Sequence, residues 1–155
     1  MSINEESDKE MAVFHREISK ANDSVYGILI THLYIESLID RCIIANTKKD
    51  SGLVGKQGLS FNNKVKLLSA LIGEYLDPQL MDALNKLNSI RNDCAHEFGH
   101  EISDKKIQSL GNTLGSKYTE IKNEYPNAEK SAIAPISWNI CGQMAYVTLW
   151  QEGYR

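Results

Sequence analysis

Apolar positions recur at spacings of three and four along most of this chain, which is the signature of helices with one buried side. Met11, Phe14 and Ile18 share one side of a helix expected over residues 9–21. Asn22-Asp23-Ser24 reads as a break and a cap. A long helix is expected over residues 25–46, with Ile28, Leu29, Ile35, Leu38, Ile39, Cys42 and Ile43 inward and Thr31, Glu36, Asp40 and Arg41 on its polar side. Residues 47–60 form a long loop with three spread glycines and no Gly-Lys-Ser/Thr, so a phosphate-cradling loop is not supported. Ser60 caps a helix expected over residues 61–75. Asp77-Pro78 starts the next one, running to about residue 97. Ser103-Asp104 is a fresh cap for residues 104–123, and a last helix is expected over residues 136–151. Nothing alternates with the period of two that marks a strand. The expected fold is therefore all-α, a single-domain helical bundle of five to six helices over residues 9–155, behind a disordered polar stretch at residues 1–8.

A length of 155 residues suits one domain with a real core. The net charge of −3 argues against a generic nucleic-acid coat. The charge is uneven, however. Residues 46–72 hold Lys48, Lys49, Lys56, Lys64 and Lys66 against Asp50 alone, a segment charge of +4 that leaves −7 for the remainder. These five lysines are the candidate guides for an anionic partner such as RNA. Cys42, Cys94 and Cys141 are odd in number and widely spaced, as expected of thiols in a reducing cytoplasm rather than a disulfide frame. The acidic start is unlike a signal peptide, and no apolar run is long enough to span a bilayer, so no membrane partner is expected.

Candidate chemistry concentrates at the end of the helix that starts at Pro78. Leu80, Leu84, Leu87 and Cys94 lie near one face, and Arg91, Asn92 and His96 stand off it. Imidazole titrates near neutrality and can take a proton from a ribose 2′-hydroxyl. Guanidinium grips phosphate oxygens and stabilises charge growing on them. That route requires no metal or other cofactor, and DNA cannot react by it. On an ideal helix five positions advance ~7.5 Å and rotate ~140°, whereas Asn92 and His96 share a face. Arg91 and His96 therefore converge only if the helix ends near His96, or if two copies line one cleft at a two-fold interface.

The segment Leu87-x-x-Ile90-Arg91-Asn92-Asp93-Cys94-Ala95-His96, late in a helix and preceded by a long apolar helix, resembles the HEPN superfamily, whose motif is Arg, four to six residues, then His. The resemblance implies a cytoplasmic homodimer that binds RNA. It also implies a metal-independent endoribonuclease of the toxin or phage-defence type, controlled by a cognate antitoxin or regulatory protein. Arg91 and His96 become catalytic candidates and Asn92 an orienting one. Members paired with a nucleotidyltransferase antitoxin often carry His-x-Tyr, where this chain has Phe98. A second segment, Gly58-Leu59-Ser60-Phe61-x-x-Lys64-Val65-Lys66-Leu67-Leu68-x-Ala70-Leu71, resembles the mannitol operon repressor-like family. That likeness implies a non-catalytic transcriptional regulator or interaction module. The two resemblances span about residues 25–110.

A rival chemistry overlaps these letters, because His96-Glu97-Phe98-Gly99-His100 matches the zinc-protease pattern H-E-x-x-H. It lacks a downstream His as third ligand, leaving Glu120 or Glu124, and Gly99 with the Ser103 cap interrupts the helix that would present both imidazoles. No metal site is assigned on that basis. Cys94 beside His96 and His100 lacks an evident fourth ligand. His15 and His32 sit in helices without clustered acids and read as satisfied or solvent-facing. Trp138, Trp150, Tyr146 and Tyr154 suit base stacking, and at helical spacing they suit core or interface better.

Overall fold

Polar caps divide the chain into helices much as the pattern predicts. A computed structural model describes residues 2–20, 23–47, 58–96, 101–126 and 132–154. Among these residues there are seven α-helices, two 3-10 turns and no strand: α1 Ile3–Ile18, α2 Ser24–Asn46, α3 Phe61–Ile72, α4 Pro78–His96, α5 Asp104–Gly111, α6 Ser116–Glu124 and α7 Ile133–Gln151. The fold is an all-α single domain. Asp23 caps α2 by accepting the Tyr26 N–H at 2.8 Å, and Asp77 holds the start of α4 by accepting that of Gln79 at 2.8 Å. Ser60 and Ser103 accept the Asn63 and Lys106 amides at 3.4 Å.

Three boundaries differ from expectation. α1 starts at Ile3 rather than at residue 9, because Ser2 and Glu5 form a reciprocal capping box and Ile3 is buried. Residues 3–8 are thus helical rather than frayed. The single helix expected over residues 104–123 is two. A 3-10 turn, Asn112–Leu114, leads into Gly115, whose φ of +58° lies where L side chains are strained. Just before it, the bare Gly111 lets the buried Tyr118 ring lie on the α5 backbone, and an added Cβ would overlap that ring. Lastly, α7 starts at Ile133, with Pro135 in its first turn, where the missing N–H costs nothing.

The core is organised around α2 and α7, which pack on each other more extensively than any other pair. Ile35, Leu38, Ile39 and Cys42 of α2 are fully buried, as are Ile136, Ile140, Cys141 and Met144 of α7. Inside this seam the Thr148 hydroxyl lies 3.2 Å from the Leu38 carbonyl and 2.9 Å from the Met144 carbonyl. Arg41 ties three elements, donating to Glu10 of α1 at 2.6 Å and to both carboxylate oxygens of Glu152 at 2.8 and 2.7 Å. Burial pushes the Cys42 thiol up to about 12 and the Cys141 thiol well above its usual value, so both are inert core groups. No helix among the described residues is long and apolar enough to cross a membrane.

Candidate functional site at the end of α4

Leu80, Ala83, Leu84, Leu87 and Ile90 are the buried face of α4, and Ile90 is the last of them. Beyond Ile90 no residue of the helix is fully buried, although Cys94 still packs against the core. Arg91, Asn92, Asp93 and Cys94 are half-buried, and Ala95 and His96 are exposed. The Arg91 Nη1 donates to Asn92 Oδ1 at 3.2 Å. Lys106 of α5 pairs with Asp93 at 2.7 Å and braces this last turn. α4 is α-helical through His96, so Arg91 and His96 stay ~7.5 Å and ~140° apart on it. α4 ends at His96, and the residues that follow, 97–100, lie outside the described residues. Asn92 and His96 do share a face, one turn apart.

The candidate lysines separate. Lys48, Lys49 and Lys56 lie outside the described residues. Lys66 is exposed on α3. Lys64 is not a solvent-facing guide for RNA. It is 4% exposed, and its ammonium sits 2.9 Å from Glu36 and 2.7 Å from Asp40 of α2. The long aliphatic stem lets a lysine enter from α3 and deliver charge to two acids one helical turn apart. The zinc pattern is described only through His96, since Glu97 and His100 lie outside the described residues. Among the described residues no three His, Cys, Asp or Glu side chains group as metal ligands.

A polar cluster that the sequence pattern does not announce lies behind the α4 end. His32 is 3% exposed, and it has one acid near it. Its Nε2 is 3.3 Å from Asn88 Oδ1 and its Nδ1 is 4.0 Å from Glu36, while its ring packs against Phe61 at 4.2 Å. Asn88 stands one turn before Asn92 on α4, so the cluster abuts the candidate site. Burial, and then the Arg91 and Lys64 cations, hold the His32 imidazole below its usual 6.5 against the opposing pull of Asn88 and Glu36. A His kept neutral when folded takes up a proton on unfolding. Its stabilising contribution is full above pH 6.5 and declines as the pH falls through that value toward the lowered folded pKa. Urea unfolding at pH 7.5 and 5.5 is expected to show a larger acid loss for the wild type than for His32→Gln. Equal losses would refute a role for His32 in acid sensitivity.

The signal for this cluster is present in hindsight: His32, Glu36 and Asp40 recur every fourth residue along an otherwise apolar helix. Comparison of the chain with protein-family models, with curated proteins and with solved structures found no match in any of the three.

Proposed function

We propose that this chain is a HEPN-like RNA-binding protein that cleaves RNA without a metal, at a site assembled from two copies. The observation that carries the reading is the placement of Arg91, Asn92 and His96 past Ile90. There, three polar groups suited to phosphodiester chemistry stand half-buried or exposed on the last turns of α4, after its last fully buried residue. His96 is exposed, and among the described residues no hydrogen bond or ion pair occupies it, so it is available to a substrate hydroxyl. The Arg91 guanidinium supplies the phosphate grip. Its hydrogen bond to Asn92 limits the directions the guanidinium can take. Arg91 and His96 lie five positions apart on one helix, and in this reading Arg91 of one copy faces His96 of another.

The test is cleavage of total RNA and of tRNA by the purified protein in excess EDTA, beside His96→Ala. Cleavage that survives EDTA and disappears in the variant is the expected result. Cleavage abolished by EDTA would reject this mechanism and return attention to His96 and His100. A second reading, a non-catalytic regulator or interaction module of the mannitol repressor-like kind, is favoured by Lys64. Its capture by Glu36 and Asp40 takes one cation out of the lysine-rich segment of an acidic protein. No cleavage by either protein is the result that reading expects.

A further inference from the structure

A shallow groove of about 470 Å³ runs along α7 where it meets the start of α4 and the 3-10 turn Gly73–Tyr75. Tyr75, Trp138 and Tyr146 form its walls, and they remain 55%, 39% and 48% exposed. Two of these rings are fixed by other rings behind them. Trp138 stands edge-on to His15 at 5.5 Å, and Tyr75 rests against Trp150 at 5.1 Å. Exposed aromatic rings held in place present their faces at little entropic cost on binding. Between them lie the carboxamides of Asn139 and Gln143. The Asn139 Nδ2 donates to the Pro135 carbonyl at 2.8 Å, which leaves its Oδ1 as an acceptor.

Charge decides what such a groove takes. Among the described residues Asp77 is the one charged side chain that lines it, and no lysine or arginine does. A phosphate-bearing strand would meet an acid and no cation among the described lining residues, which disfavours the rings as a base-stacking surface for RNA. A cation meets ring faces and a carboxylate together. Asn139 to Tyr146 spans about 10 Å of helix, which matches about three residues of an extended chain. Leu80 in this groove and Arg91 are eleven positions apart on α4, about 16 Å, so the groove is separate from the α4 end.

We propose that this groove binds a short extended segment of a partner protein carrying lysine or arginine, with the cationic side chain between the rings and Asp77. The carboxamides take up its backbone N–H groups. The proposal stands whether or not the chain cleaves RNA. Its test is titration of the protein with a blocked tetralysine peptide at physiological salt, followed by tryptophan fluorescence. Trp138 and Trp150, the only two tryptophans, both touch the groove residues. A saturable change is expected, weakened about tenfold in Tyr146→Ala and in Asp77→Asn. Asparagine keeps the helix cap that Asp77 provides, so the second variant changes charge and not fold. Blocked tetraglutamate should give no change. The proposal is overturned if tetralysine gives no saturable signal, or if both variants bind like the wild type. Tetramethylammonium binding as tightly as the peptide would also overturn it, by showing a site for a small cation rather than a protein segment.

Discussion

A mixture of Arg91→Ala and His96→Ala proteins, each inactive alone, is expected to regain RNA cleavage. This follows from the unbroken helicity of α4. Its backbone is helical from Pro78 through His96, so the two groups that must meet one phosphate are held ~140° apart on it. If the working pair is formed between copies, a mixed dimer has one site lacking both groups and one site intact. Random exchange places about half of all chains in mixed dimers, each with one of two sites, so activity should return to about a quarter of wild type. Each single variant is expected to lose at least about a hundredfold, the usual scale for a general acid–base or for stabilisation of a developing oxyanion. The measurement is cleavage of a defined tRNA after co-incubation, with subunit exchange followed independently by labelled chains. Two inactive variants that exchange and stay silent would show that Arg91 and His96 do not act across copies. Full activity in His96→Ala would remove the imidazole from the mechanism altogether.

Lys64→Met should destabilise the fold by about 2 kcal/mol at neutral pH. Breaking a buried ion pair generally costs about 3–5 kcal/mol, because a charge is left uncompensated. Here two carboxylates are left facing each other, but the Glu36 and Asp40 side chains are 29% and 25% exposed, and water offsets part of the loss. Met fills nearly the same volume, so packing changes little. Two further results separate charge from shape. Adding Glu36→Gln and Asp40→Asn to Lys64→Met should recover more than half of the loss. In the wild type, burial works against the charged form, but the ammonium's hydrogen bonds to Asp40 and Glu36 raise the Lys64 pKa above its usual 10.5. The ammonium's contribution is therefore full below pH 10.5 and disappears as the pH climbs through the folded value. Urea midpoints at pH 7 and 11 measure both effects. A Lys64→Met midpoint equal to wild type at pH 7 would show that the ion pairs contribute nothing to stability.

Most of the helical layout is legible because caps are local. Asp23, Ser60, Asp77-Pro78 and Ser103 each act within three residues of the amide they satisfy, and each starts the helix it predicts. The same kind of signal was available at Ser2-x-x-Glu5, where it marks α1 against the polar composition that suggests disorder. The division of residues 104–124 is harder to read. Ile107, Leu110, Leu114, Tyr118 and Ile121 keep helical spacing across a 3-10 turn and a left-handed glycine, since both sides of the break bury their apolar residues in one core. At the candidate site, the end of full burial at Ile90 follows from the apolar stripe of α4. The fate of Lys64 does not. Its partners lie 28 and 24 residues earlier, and only the packing of α3 on α2 brings them together.

α3 lies alongside α2 with the same polarity, Phe61 beside His32 and Lys64 beside Glu36 and Asp40, while the other broad side of α2 is covered by α7. This order has a consequence for the nascent chain. α2 is apolar around most of its circumference, and it leaves the ribosome well before the helix that shields it. At about 5–20 residues per second, Ile35, Leu38 and Cys42 wait on the order of ten seconds for Ile140 and Met144 to be made. During that interval the early helices can form but cannot close, so the emerging polypeptide is a client for chaperones that hold exposed aliphatic segments. Synonymous changes that slow translation between α3 and α7 should lengthen that exposure and lower soluble yield, with no amino acid altered.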